Sequence, residues 1–436
     1  MNRRSLLAGG SAALAGAVLA GSGGSLAQGL TGTITIGYEG TNAFIGPYIG
    51  AAAQAVMTAN PGATIEVNPS ISPNYLSQLA LQLFTGTAPD VFLIFGLGAG
   101  ELAAGGFVSS LDDYVANWDG WAQYDAATRA GVTSQGHPWA IPWGLNPYFL
   151  YYRKDLFQQA GLDPEWQPET REEIIEAAAA IQQSSPDSIP YSIYAGANGE
   201  NATAADFMNL ILSNGGTLID PDGRWFIDSC PIRETLAYYE YAFQTTKVVP
   251  SIVLTDVSPL ETMPNYFANG ELGILHETAK HYGVWMARNA VDAETIGVAL
   301  FPGNEGPLAL GDVGDAWYIN SGAANPDLGW AFIEAFSTVE LQAALSAEDP
   351  HLPARLDARD ASDWLEQPLS DRILEASTVM TLPPPEPQFR KLISVVQNAT
   401  GLVAAGQATP IEAIQRYGEE LTRTMGEQNV TTEACG

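Results

Sequence analysis

Basic residues are the first scarcity in this chain: 18 lysines and arginines stand against 49 aspartates and glutamates, for a formal charge of −31 over 436 residues. A field of that sign repels nucleic acid and anionic membrane, so neither is an expected partner. Histidine is scarce too, with His137, His276, His281 and His351 too scattered to make a metal cluster, and neither metal nor cofactor is expected. Cysteine is limited to Cys230 and Cys435. That rules out a paired-cysteine zinc site and leaves two readings, one disulfide in an oxidising compartment or two free thiols. The nucleophile-elbow, His-Glu-x-x-His and Walker A patterns are absent as well, and the enzyme classes they mark go with them. Carboxylates are plentiful, so composition leaves open a secreted glycoside hydrolase acting through two acids.

Long apolar runs are missing except at the start, and no later stretch approaches the roughly 18 uninterrupted apolar residues of a spanning helix. Residues 1–27 read as an export signal: Arg3-Arg4 leads an Ala/Gly/Leu run through Ala20, and Ser25-Leu26-Ala27 is a small-x-small cleavage site. The adjacent arginines suit the twin-arginine route, although general secretory signals carry them too. Losing these two arginines moves the formal charge from −31 to −33. No cysteine lies near the cleavage site, so no lipid anchor is expected, and the mature chain is expected to be a free, monomeric periplasmic protein.

What is present fits a globular protein, at 46% hydrophobic and 10% aromatic residues, and the length suggests two domains. The β-branched alternation of Thr31 to Gly37 predicts a first strand. A helix over Ile49 to Ala59, closed by Asn60-Pro61-Gly62, and a strand over Thr64 to Val67 complete a βαβ unit. Tyr75 to Phe84 predicts a helix, and Asp90 to Phe95 a third, wholly apolar strand of the kind covered on both faces. Further on, Thr170 to Ser184, Phe207 to Ser213, Ile232 to Phe243 and Asp327 to Ser337 read as helices, with a short helix from Asn265. Strand material lies at Gly270 to Leu275 and Ala316 to Ile319, and the last 80 or so residues are mainly helical. The fold class is α/β.

Gly136 to Pro164 combines Pro142, Trp143-Gly144, the aromatic strand Tyr148 to Tyr152 and the helix opening Arg153-Lys154-Asp155. Proline's fixed φ beside glycine's freedom suits a strand that bends between domains, as well as an ordinary buried strand with a tight turn. Three further stretches join it: Gly86-Thr87-Ala88-Pro89-Asp90-Val91, Phe267 through Ile274, and Gly406 to Leu421. With these four in order over nearly the whole chain, the sequence resembles the bacterial extracellular solute-binding proteins, the family that includes maltose-binding protein. It departs from that pattern at Arg153, where the family carries Asn, and at His276-Glu277-Thr278, where the family has a Gly-rich loop.

The resemblance implies a two-lobe periplasmic-binding fold of type II, each lobe a mixed or parallel sheet flanked by helices. Three crossings are expected, near Pro142, His276 and Asp349. One lobe would take residues 30–141 and 278–349, the other 142–277 and 350–436. It further implies capture of a sugar or oligosaccharide in an interlobe cleft and delivery to the membrane permease of an ABC importer.

In such a fold the loops at strand carboxyl ends meet the ligand. The candidates are Tyr38, Glu39, Phe95 and Gly96 after the first and third strands, and Trp143 and Asn146 at the crossing. Asn201, Glu277, Lys280, His281 and Trp285 come from the second lobe. Asp312 and Trp317 lie near the return, and Arg390 sits in a loop that resembles the family's stacking loop. Rings that stack on sugar C–H faces beside carboxylates and amides that pair with hydroxyls suit carbohydrate. Lys280, one of four lysines, with His281 and Arg390 points to a sugar derivative bearing an acidic group. Glu39, Glu277, Asp312 and Asp315 also suit a polyamine.

Overall fold

The computed structural model describes residues 29–40, 44–70, 75–95, 98–287, 291–348, 351–361, 369–383 and 389–435. They fall into two compact units. The export signal, Gly96 and Asp349 lie outside the described residues.

The first unit opens with strand β1 (Thr31–Glu39), helix α1 (Gly46–Ala59) and strand β2 (Gly62–Ser70). Asn60 stops α1: its Nδ2 donates to Val56 O at 3.1 Å while its Oδ1 accepts the Leu30 N–H at 2.9 Å, tying the helix end to the root of β1. Helix α2 (Tyr75–Thr85) leads to β3 (Val91–Phe95), and β1 lies parallel to both β2 and β3. The Pro89-Asp90 signature has a physical basis here. Asp90 Oδ2 accepts both the Thr35 N–H and the Thr35 hydroxyl at 2.8 Å, locking β3 against β1. Gly37 clears the way for the neighbouring proline, because a Cβ there would stand 2.5 Å from Pro89.

Strand β4 (Ile141–Pro142) closes one side of this sheet, and β5 (Gly144–Arg153) carries the chain into the second unit between Asn146 and Pro147. There follow helix α3 (Lys154–Ala160), helix α4 (Arg171–Ser184), strand β6 (Ile189–Ser192), helix α5 (Glu200–Ser213), strand β7 (Trp225–Asp228) and helix α6 (Cys230–Glu240). Helix α7 (Pro259–Ala268) includes Pro264 in its interior and starts six residues before the expected Asn265. Strand β8 (Leu272–Thr278), helix α8 (Ala279–Ala287) and strands β9 (Ile296–Ala299) and β10 (Ala309–Asp312) complete the run.

The chain then returns to the first unit with β11 (Asp315–Ile319) and α9 (Pro326–Phe336). It ends in the second unit with β12 (Met380–Thr381), α10 (Phe389–Ala404), α11 (Pro410–Met425) and β13 (Val430–Thr432). The first sheet runs β2-β1-β3-β11-β4, with β11 antiparallel to both its neighbours. The second runs β12-β10-β5-β8-β6, with β9 also on β5. Strand β8 lies antiparallel to β5 and parallel to β6.

This pairing corrects the expected domain limits. His276 lies inside β8, and β9 and β10 keep the chain in the second unit until Gly311, so the return comes at 311/312. The last passage comes after Ser370. Arg153 is likewise no ligand-site departure. At 8% exposure its guanidinium makes two bonds to the Asp155 carboxylate, at 2.9 and 2.7 Å, and donates to the Phe267 and Ala268 carbonyls at the end of α7. Two of the four signatures are thus one contact, a charged donor satisfying helix-end carbonyls. Cys230 and Cys435 are bonded, holding the tail where β13 pairs with β7.

Candidate functional site

Each sheet presents a strand-end edge. In the first unit β1 and β3 run parallel and end at Glu39 and Phe95, and the antiparallel β11 begins at the same edge with Asp315 opposite Phe95. Next to it the Trp143 N–H donates to Asp315 O at 3.3 Å. Tyr75, not among the sequence candidates, brings its phenol to this edge. Burial first, then the charges of Asp315 and Glu39, push its pKa well up, so it stays neutral, and its hydroxyl meets no hydrogen-bond partner among the described residues. A tyrosine opening a helix two elements away gives no such signal until β11 is threaded into the sheet.

Tyr38 is buried, with its hydroxyl 2.9 Å from the space a Cβ on Gly46 would fill. Trp143 is also buried and meets the His351 ring edge-on, centroids 4.9 Å apart. Gly144 serves this contact more than it serves flexibility: a Cβ would stand 2.8 Å from His351 Cβ. Asp312 turns inward and accepts the Gly314 N–H at 2.7 Å, forming the turn between β10 and β11. Asn146, buried, is the last residue of the unit before the crossing. Trp317 is a correction. It is fully buried, edge-on to Phe332 and Phe336 of α9 at 5.0 and 5.1 Å, so it packs in the core of the unit. Trp118 and Trp330 pack edge to face at 5.4 Å, with Arg355 over the Trp118 ring.

The second unit's edge gathers the start of β5, the end of β8 and the loop after β6. Tyr148 pairs with Thr278 in the ladder, and its ring lies 5.3 Å from that of His276. Behind them is a buried ring of hydrogen bonds. Asp206 of α5, 1% exposed, bonds His276 Nδ1 through Oδ1 and accepts the Tyr194 N–H through Oδ2 at 2.5 Å. The Tyr194 hydroxyl donates to Glu277 Oε2 at 3.2 Å, Glu277 Oε1 accepts the Thr278 N–H at 2.8 Å, and His281 Nδ1 stands 3.4 Å away.

The electrostatics follow from burial. Desolvation pushes the Asp206 carboxyl up, offset in part by His276 and the Tyr194 N–H. Burial opposes the charge on Glu277 too, yet His281, the Thr278 N–H and His276 outweigh it and hold that carboxyl below the ordinary range. Tyr194 is pushed well up by burial and by both carboxylates, so it donates. The loop itself is clamped. Thr203 Oγ1 donates to Gly196 O at 2.9 Å, the Gly196 N–H reaches Thr400 Oγ1 at 3.2 Å, and Glu200 holds a left-handed φ of 47°. Asp206 and Tyr194 escaped the sequence reading, although an aspartate inside the apolar face of a helix is itself a signal that a partner awaits.

Asn201 is exposed in the first turn of α5, and Lys280 is exposed in the first turn of α8 beside the partly exposed His281. Trp285 is the second correction: buried, stacked on Phe267 at 5.0 Å and edge-on to Tyr151 at 5.2 Å, it belongs to the core. Phe95 contributes its backbone to the first edge and Arg390 lies in the first turn of α10, but both side chains are outside the described set. An open groove along α11 is lined by Asp228, Ile414, Gly418, Glu419, Arg423 and Glu427. Among the described residues no group of histidine, cysteine and carboxylates could hold a metal ion, and no helix is long and apolar enough to cross a membrane.

The model of the family described as bacterial extracellular solute-binding protein matches residues 46–343. The sn-glycerol-3-phosphate-binding periplasmic protein of Escherichia coli K12 is 28% identical over 150 residues, 32% of this chain and 33% of that protein, so the match spans a third of the relative's length. Among solved structures, an ABC transporter solute-binding protein of Thermotoga lettingae bound with α-D-tagatose superposes with a TM-score of 0.78 at 23% identity, over 91% of this chain and 100% of that one. A Listeria monocytogenes substrate-binding protein in complex with cycloalternan gives 0.75 at 19%, over 91% and 100%. A maltose-bound protein of T. maritima gives 0.74 at 22%, over 90% and 99%.

Proposed function

Since this chain belongs to the bacterial extracellular solute-binding proteins, we propose that it captures a sugar, an oligosaccharide or a sugar derivative with an acidic group in the periplasm and hands it to the permease of an ABC importer. It acts by binding and not by catalysis, as a monomer exported through the signal at residues 1–27, cleaved near Ala27. The observation that carries this is the makeup of the two strand-end edges. Carboxylates (Glu39, Asp315, Glu277) that pair with hydroxyls lie beside aromatic groups (Tyr75, Tyr148), the mixture carbohydrate requires. Tyr38, Trp143, Asn146 and Asp312 would frame the groups of the first edge and Asn201 those of the second, with Lys280, His281 and Arg390 of the second unit as the cations for a phosphate or carboxylate on the sugar. The structural relatives carry tagatose, cycloalternan and maltose, and the curated relative is named for sn-glycerol 3-phosphate, which agrees with either form of the reading.

The density of acids supports a second reading, a polyamine held by Glu39, Glu277, Asp312 and Asp315. A thermal-shift screen across maltose, mannobiose, sn-glycerol 3-phosphate and spermidine separates the two. The sugar reading expects a raised melting temperature with a sugar or its phosphate. A shift confined to spermidine, falling steeply with salt, would replace it with the polyamine reading.

A further inference from the structure

The ring behind the second edge joins four elements through two buried carboxylates, Asp206 and Glu277. Asp206 comes from α5, Tyr194 follows β6, His276 and Glu277 lie on β8, and His281 is on α8. Tyr194 meets Asp206 with its backbone and Glu277 with its side chain, so the position of the Glu277 carboxylate depends on where Asp206 holds the Tyr194 backbone. The second link runs through the strand: Asp206 fixes the imidazole of His276, and the next residue along β8 is Glu277. His281 is partly exposed and His276 Nε2 meets no hydrogen-bond partner among the described residues, but the other groups are closely held. Asp206 and His276 are each 1% exposed, Tyr194 1% and Glu277 4%, and an unmet donor or acceptor at such depth is costly. Tyr191 from β6, Tyr238 and Tyr239 from α6 and Tyr148 and Tyr151 from β5 are the other titratable groups around the ring, and burial keeps the phenols of Tyr191, Tyr238, Tyr239 and Tyr151 neutral near pH 7.

We propose that Asp206 is the positioning residue of this edge: it touches no ligand itself, and through Tyr194 and His276 it sets the Glu277 carboxylate, which itself holds the Thr278 N–H, in the geometry that receives the solute. This rests on the reading of the strand end as ligand-facing. Pre-setting the carboxylate lowers the ordering cost of capture, which is where a rigid site gains affinity.

The test compares the mature chain with Asp206→Asn by amide hydrogen exchange and proton NMR. Exchange at the Tyr194 and Thr278 amides should quicken by about tenfold or more, while the Phe226 amide, bonded to Leu218 O elsewhere in the unit, stays unchanged. A slowly exchanging imidazole proton of His276, seen in the parent, should vanish. If Asp206→Asn fails to fold, Tyr194→Phe removes only the hydroxyl link: Thr278 should lose protection and the Tyr194-position amide keep it. Quickened exchange at Tyr194 with Thr278 unmoved would overturn the proposal and leave Asp206 a loop anchor. Titration with maltose and sn-glycerol 3-phosphate tests the premise separately. Binding as tight in Asp206→Asn as in the parent would overturn the role in capture, whatever the exchange data show. Binding of neither by the parent counts against the ligand reading while the exchange result still decides the positioning claim.

Discussion

The two strand-end edges are built on opposite plans. In the first unit the edge is set by backbone: β11 threads between β3 and β4, its first residue pairs with Phe95, and the Trp143 N–H closes on Asp315 O. Its carboxylate Glu39 is exposed, and the rings behind it are held by packing. In the second unit the edge is set by ionisable side chains buried among tyrosines, with Asp206, Tyr194 and Glu277 linked in turn by hydrogen bonds. Backbone-built edges tolerate side-chain exchange, whereas a buried polar ring gives one geometry at the risk of losing it whole when a member is removed.

Removing a member of the ring should show the contrast most strongly. Asp206→Ala strands a buried imidazole and the Tyr194 N–H, and should cost about 3–5 kcal/mol of stability by urea unfolding. A loss under about 1 kcal/mol would mean that the ring is not buried charge at all. Breaking the Cys230–Cys435 bond by Cys435→Ser should cost about 2–4 kcal/mol. That loss should appear in unfolding probes of the second unit and spare those of the first. Acidification comes next. Glu277 has a depressed pKa, so its stabilisation is complete above the unfolded carboxylate value of about 4.3 and is lost as pH falls through the lower folded value. The acid limb of the stability curve should therefore be shallower in Glu277→Gln than in the parent, and identical limbs would contradict the coupling. The smallest effect belongs to the first edge, where Glu39→Gln should change stability by no more than about 0.5 kcal/mol while weakening sugar affinity.

How much of this could be read in advance follows the same division. The β1-α1-β2-α2-β3 run was legible because alternation, helical period and the stops at Asn60-Pro61-Gly62 and Gly86 are all local signals. The solute-binding resemblance was legible because its motifs are short contiguous stretches, although the Asp90–Thr35 lock made by one of them spans 55 residues. The limits of the units were not, since β8, β9 and β10 declare their sheet only by pairing with β5, more than a hundred residues earlier. Trp285 and Trp317 misled for the same reason: which face a strand or helix residue presents depends on the register of partners far away in sequence. Glu39 and Glu277 were named as candidates by strand-end reasoning. Tyr75, Tyr194 and Asp206 were not, because nothing near them in sequence names the groups they meet.

Solute capture itself is tested most directly by calorimetric titration of the mature chain with maltose, mannobiose and sn-glycerol 3-phosphate, followed by chromatography of the recovered solute. The account predicts saturable binding of a sugar or sugar phosphate at one site per chain, with the solute returned intact. Shortened saccharides in the recovered fraction, or binding of spermidine alone, would contradict it.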